Sequence, residues 1–185
     1  MKGMTREALE EWHRPRIESL IEGKVSLLAL ETMPGSLEVK CFLIEKIPSD
    51  VSLLSCVCLP LYHHSYLKVL AALDCLAKSS VILPAWVSFS IKDGDSLCGG
   101  EPIEDAVRMV LKHPMAKSGR IVAIGVNCCN PDHVTPALTK MRSVSKTTPL
   151  VVYPNSGEVW DGEGRVWRGE GGQWVEHVKD WVSNS

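Results

Sequence analysis

Short runs of β-branched and small apolar residues alternate along this chain with longer stretches whose apolar positions fall on a helical period. Four apolar runs read as strands, residues 25–30, 85–90, 121–126 and 148–154, and the run 121–126 as one buried on both faces. Each gives way to a polar segment: Glu31 and Thr32, then the glycine-rich 91–100, then 127–131, then 155–158. Helical patterns lie around them. Thr5 is placed to cap a helix running through Glu22, with Leu9, Trp12, Ile17, Leu20 and Ile21 at helical spacing. Gly23 is its expected C-cap, and Pro15 predicts a kink or a break. Ser36 caps a second predicted helix over 37–47, with Glu38 early and Lys46 late, as the helix dipole favours. Further helices are predicted over 102–112, 132–145 and 174–182, and 160–173, rich in glycine and tryptophan, reads as a long ordered loop.

A repeated βα pattern predicts parallel strands joined by right-handed crossovers, adjacent in the order 25–31, 85–90, 121–127, 149–154. Periodicity leaves open a closed barrel and an open, doubly wound sheet. Four such units are about half of a (β/α)8 barrel.

Residues 49–83 break the rhythm, since an αβ connection usually takes ~2–6 residues. They hold a possible strand over 51–59 and a possible helix over 65–78, which makes them an extra βα unit or a poorly packed insertion. Their only formal charges are Asp50, Lys68, Asp74 and Lys78, and they carry Cys56, Cys58 and Cys75. On that composition an insertion is expected, the least well packed part of the chain. Cys56-Val57-Cys58 with His63 and His64 invites a zinc reading, but the spacing is not the C-x₂₋₄-C of zinc ligands, so structural cysteines are preferred.

Composition narrows the function classes. The 185 residues suffice for one domain with a real core. With 20 basic and 22 acidic residues the formal charge is −2, which leaves no footprint for nucleic acid or an anionic membrane. The charged opening reads as a helix start rather than a signal peptide, and no run is long and apolar enough to span a bilayer. Seven cysteines without a regular framework suit reduced thiols in the cytoplasm. There is no phosphate loop, nucleophile elbow or dinucleotide fingerprint.

Candidate chemistry therefore sits where strands end, since loops at the carboxyl ends of parallel strands carry the sites of α/β proteins. Cys128 and Cys129 follow the strand at 121–126 directly. A thiolate there is a soft-metal ligand or a nucleophile, although free cysteines are as often small buried hydrophobes. Glu31 at the first strand tip is a ligand contact or a paired structural charge, because an unpaired buried carboxylate is costly.

Four ordered stretches carry a resemblance: Glu31-Thr-Met-Pro-Gly-Ser-Leu-Glu38, Pro84-Ala-Trp-Val-Ser-Phe-Ser-Ile-Lys-Asp-Gly94, Gly125-Val-Asn-Cys128 and Tyr153-Pro-Asn-Ser-Gly-Glu158. Together they resemble successive motifs of the homocysteine S-methyltransferase family, over the whole chain except 49–83. The resemblance implies a fragment of a (β/α)8 barrel, about strands four to seven, with 49–83 inserted. It implies transfer of a methyl group from S-methylmethionine, S-adenosylmethionine or a related sulfonium donor to homocysteine, giving methionine. It makes Cys128 a zinc ligand, with Glu31 and Asn127 lining the homocysteine pocket and Ser90 and Asn155 at matching strand-end positions. It makes Trp86 or Tyr153 a candidate to face the sulfonium, although core packing is the expected job of Trp86.

The family holds zinc through that cysteine and a later Gly-Gly-Cys-Cys motif, which does not occur among these residues. Cys129 belongs to the same loop as Cys128 and does not replace both later ligands. Three expectations follow from different classes: a methyltransferase whose activity resides in a complete form, a non-catalytic half-barrel that binds a partner, and a redox or zinc module built on Cys56, Cys58, His63 and His64.

Overall fold

The computed structural model describes residues 5–33, 54–56, 65–161 and 163–183. Helix α1 (Arg6–Glu22) begins where Thr5 Oγ1 accepts the Ala8 N–H at 3.2 Å. It runs unbroken through Pro15, whose side of the helix is exposed, so the lost hydrogen bond faces solvent rather than the core. Gly23 is the C-cap, as expected, but at φ −69° it is not the left-handed residue. That turn falls on Lys24, at φ 57°, with Lys24 N–H donating to Ile21 O and Val25 N–H to Leu20 O in a Schellman pattern.

Strand β1 (Leu27–Met33) is followed by β2 (Leu54–Cys56), α2 (Ser65–Lys78) and β3 (Ala85–Ser90). Next come α3 (Ile103–Lys112), the single turn α4 (Pro114–Lys117), β4 (Ile121–Asn127), α5 (Val134–Val144) and β5 (Leu150–Tyr153). The five strands form one sheet in the order β2-β1-β3-β4-β5, every pairing parallel. The expected order of the four principal strands is therefore what the chain adopts.

Side chains alternate across each strand. Leu28, Leu30, Val87, Phe89, Ile124 and Val126 point to one face and join the buried core with Val69, Leu73, Leu76, Val107, Val110, Leu138 and Met141 from the helices. Helices follow one another along that face, α1 against α2, α2 against α3 and α3 against α5. A doubly wound sheet would carry helices on both faces, whereas a one-sided layer is the arrangement of a (β/α)-barrel segment. Strand β4 is buried on both faces over Ile124–Asn127, as expected for 121–126, but the second face of the sheet is partly polar. The second face carries Trp86, Ser88 and Ser90 from β3, Asn127 from β4 and Tyr153 from β5.

The segment 49–83 corrects a second expectation. Its latter part is α2, whose Val69, Ala72, Leu73 and Leu76 are fully buried at helical spacing. The poor packing expected of the segment does not hold there, because that spacing supplies a core-facing stripe whatever the charge content. Arg6 pairs with Asp74, and Lys78 with Glu10, tying α1 to α2. His113 Nε2 lies 3.1 Å from Asp74 Oδ1, and its Nδ1 accepts the Met115 N–H at 3.2 Å, so Nε2 holds the proton it donates. Burial pushes the Asp74 carboxyl up, but the hydrogen bonds from His113 and Arg6 outweigh it and hold the group below its usual range. The predicted helix over 37–47 lies outside the described residues, as do Cys58, His63 and His64.

Residues 160–173 are not one long loop. Strands β6 (Val159–Asp161) and β7 (Val166–Arg168) form an antiparallel hairpin. Asp161 Oδ1 accepts the N–H groups of Glu163 and Gly164, each at 3.0 Å, and Arg165 takes φ 50° to close the turn. The expected last helix splits into a 3₁₀ turn (Gln173–His177) and α6 (Val178–Ser183). No helix among the described residues is long and apolar enough to cross a membrane.

Candidate functional site

Register builds the site. Ser90 pairs with Asn127, and Asn127 with Tyr153, so three strand tips lie side by side at the carboxyl edge of the sheet. Ser88, one pleat below Ser90, pairs with Gly125. Gly125 has no room for a side chain, since an added Cβ would lie 1.6 Å from Val151 O.

Ser88 and Asn127 are fully buried and hydrogen-bonded to each other. Ser88 Oγ donates to Asn127 Oδ1 at 3.0 Å, and Asn127 Nδ2 donates to Cys128 Sγ at 3.3 Å. On the other side Ser88 Oγ meets Tyr153 Oη at 2.5 Å, and Trp86 Nε1 donates to Tyr153 Oη at 3.2 Å. Glu31 stands at the end of the row, near enough to the Tyr153 hydroxyl to act on it. Burial pushes the Tyr153 hydroxyl far above its ordinary value, and the Glu31 carboxylate adds to the effect, so the phenol stays protonated. A connected line thus runs from a half-exposed carboxylate, Glu31, to an exposed thiol, Cys128.

The two adjacent cysteines part company. Cys128 is exposed and sits at φ 50°, a left-handed conformation rarely taken by a residue with a Cβ. The loop is fixed in that shape by Cys128 N–H donating to Tyr153 O at 3.2 Å and Asn155 N–H donating to Cys129 O at 2.9 Å. Ser90 Oγ donates to Cys128 O at 3.3 Å and lies 3.4 Å from Cys98 Sγ. Cys129 turns inward at 2 % exposure, and burial, with the neighbouring Cys128 and Cys98, pushes its thiol up to about 12. The reading of small buried hydrophobes thus fits Cys129 and not Cys128.

Glu31, Ser90, Asn127 and Cys128, picked out from the sequence, come together at this edge, while Asn155 takes part through its backbone N–H. Trp86 spends its indole N–H on Tyr153. Sequence reasoning passed over Ser88, although its position two residues before Ser90 places both on one face of a strand.

A catalytic zinc centre needs three protein ligands and an open position. Cys128 has the right chemistry, a soft exposed sulfur with an N–H aimed at it. Among the described residues, however, no group of three or more His, Cys, Asp or Glu comes together to hold a metal ion. Cys128 is thus a candidate ligand and not a centre by itself.

A profile of the family described as homocysteine S-methyltransferase matches residues 1–185. Homocysteine S-methyltransferase 1 of Arabidopsis thaliana is 32% identical over 155 residues, which are 84% of this chain and 36% of that protein. The apo crystal structure of the homocysteine methyltransferase MmuM from Escherichia coli superposes with a TM-score of 0.65 at 25% identity, covering 99% of this chain and 50% of that one. Its metallated form gives 0.64, with 98% and 45% covered. The chain therefore spans between about a third and a half of the length of the relatives it matches.

Proposed function

Because the chain belongs to the homocysteine S-methyltransferase family, we propose that its carboxyl edge is part of a site that binds homocysteine and receives a methyl group on the substrate sulfur. The donor class is a sulfonium such as S-methylmethionine or S-adenosylmethionine, and the product is methionine. One observation carries this reading: the hydrogen-bonded row places a carboxylate, Glu31, at one end and an exposed thiol, Cys128, at the other. Homocysteine has an ammonium at one end and a sulfur at the other, so it matches the row in charge and in chemistry.

In this proposal Glu31 pairs with the ammonium, and Tyr153 holds the carboxylate in place by donating to it. Asn127 orients Cys128 through its side-chain N–H. Ser90 and the Asn155 backbone fix the Cys128–Cys129 loop, so the sulfur is presented without searching. Cys128 is one zinc ligand, and its partners come from βα units other than the four described. Zinc, when bound, keeps a substrate thiol deprotonated near neutral pH and therefore nucleophilic. Free thiols at Cys75, Cys98, Cys128 and Cys129 suit the reduced setting of the cytoplasm.

Joining these units to the remaining barrel units of the Escherichia coli relative tests the proposal. The completed barrel is expected to bind about one zinc per chain and methylate homocysteine, and Cys128→Ala to abolish both. A folded, zinc-loaded barrel that transfers no methyl group would overturn it. The incomplete ligand set among the described residues favours a second reading, a non-catalytic half-barrel that binds a partner, and that same failure would support it.

A further inference from the structure

A cavity lies at the end of the sheet away from Cys128. The second half of α1 and the turn that leaves α2 enclose about 330 Å³, beside the segments that lead into β1 and β3. That volume is at the lower end of the ~300–1,000 Å³ of small-molecule sites, so it suits a ligand of amino-acid size. Arg14, Ile17, Glu18 and Ile21 line it from one face of α1, three and four residues apart, and Val81 stands on the other wall. Val81 is 39 % exposed, which leaves apolar surface for a ligand to cover. Lys78 at the rim is held by Glu10. Among the described residues Arg14 and Glu18 form no ion pair, with each other or with another side chain. Arginine before glutamate is the poorer order for a pair four residues apart on a helix, which leaves both groups open to a third.

We propose that this cavity binds a free α-amino acid with an apolar side chain, Arg14 taking its carboxylate, Glu18 its ammonium, and Ile17, Ile21 and Val81 its side chain. Side chains four residues apart on a helix start roughly 5–6 Å from each other. An α-amino acid carries its two charges on one carbon, so Arg14 and Glu18 can grip both at once. A peptide separates its end charges and does not fit that spacing. A simple anion would meet Glu18 and a simple cation Arg14, so an ion of one sign is opposed by one of the two. The carbonyl end of α1 adds its negative dipole on the Glu18 side, which favours the ammonium there. The cavity is independent of the proposed function, because it stands at the amino ends of the strands and Cys128 at their carboxyl edge.

The test titrates L-leucine into the 185-residue chain with its isoleucine methyl groups labelled for NMR. The Ile17 and Ile21 signals are expected to shift and saturate, while Ile124, inside the sheet core, stays in place. Leucinamide lacks the carboxylate and 4-methylpentanoate lacks the ammonium, and each is expected to bind about tenfold more weakly than leucine. Arg14→Gln is expected to weaken leucine by about tenfold and to leave leucinamide within about twofold. Glu18→Gln is expected to do the same to leucine and to spare 4-methylpentanoate. The proposal is overturned if Ile17 and Ile21 show no saturating shift, or if the shift is confined to Ile91 at the carboxyl edge. It is also overturned if the three ligands bind alike, or if Arg14→Gln leaves leucine binding unchanged. Arg14 is half-buried and Glu18 exposed, and the Ile124 signal reports whether each variant has folded. If one does not fold, the three ligands on the wild type decide alone.

Discussion

Ser88 and Tyr153 meet hydroxyl to hydroxyl at 2.5 Å although their strands are not neighbours, because β4 runs between them. The contact crosses β4 where Gly125 stands, between Ser88 on one side and Val151 on the other. A side chain there would fill the gap that the tyrosine spans and would strike the Val151 backbone.

Gly125→Ala is therefore expected to destabilise the fold by about 3 kcal/mol, the upper range for overpacking a core. For a chain of this size that lowers the melting temperature by roughly 6–12 °C. A thermal melt within about 2 °C of wild type would show that β4 and β5 can part without cost.

Asp74 makes stability depend on pH. Its folded value is depressed, because the hydrogen bonds from His113 and Arg6 overcome the upward push of burial. Its contribution is therefore fully present above the unfolded carboxyl value of ~3.9 and is lost as pH falls through the lower folded value. Asp74→Asn is expected to cost about 2 kcal/mol at pH 7, in the range of hydrogen bonds to charged groups. Denaturant melts should show that difference shrinking below pH 4. A difference that stays constant down to pH 2 would assign it to packing instead.

Cys128 and Cys129 should differ in reactivity despite being adjacent. Iodoacetamide near pH 8 is expected to label exposed Cys128 and to leave Cys129 unmodified until the chain unfolds, since burial pushes its thiol up to about 12. Peptide mapping of a time course reads this directly. Equal labelling in the native chain would mean that the loop opens.

Zinc binding by these 185 residues alone is expected to be weak. The described residues bring no group of three metal-ligating side chains together, and tight sites at ~10–16 kcal/mol use three or four. Metal analysis after dialysis against a mild chelator should find well under one equivalent. Stoichiometric zinc that survives would reveal a ligand set elsewhere in the chain.

The strand order and the gathering of Glu31, Ser90, Asn127 and Cys128 at one edge were readable in the sequence, because a short apolar run and an abrupt polar stop mark a strand and its end. The hairpin β6–β7 was not read, although Asp161-Gly162 between two Val-Trp pairs is a turn signal, because five glycines across 160–173 masked it. Low charge in α2 looked foreign, yet its buried stripe was present at 69, 72, 73 and 76. The parting of Cys128 from Cys129 depends on φ 50° at Cys128 and on backbone bonds to β5, which pair residues far apart in sequence.

The one-sided helix layer has a consequence for how this chain can vary. Along β3, Val87 and Phe89 enter the helix-facing core, while Ser88 and Ser90 turn to the hydrogen-bonded edge. Consecutive codons therefore answer to different demands, one to the amount of folded protein and the next to its chemistry. In a deep mutational scan, abundance and activity would be limited at alternate positions through 85–90, out of phase by one residue. A drifting sequence could exchange Val87 for another hydrophobe of similar volume with little effect on the edge, whereas a change at its neighbour Ser88 removes the hydroxyl that joins Asn127 to Tyr153.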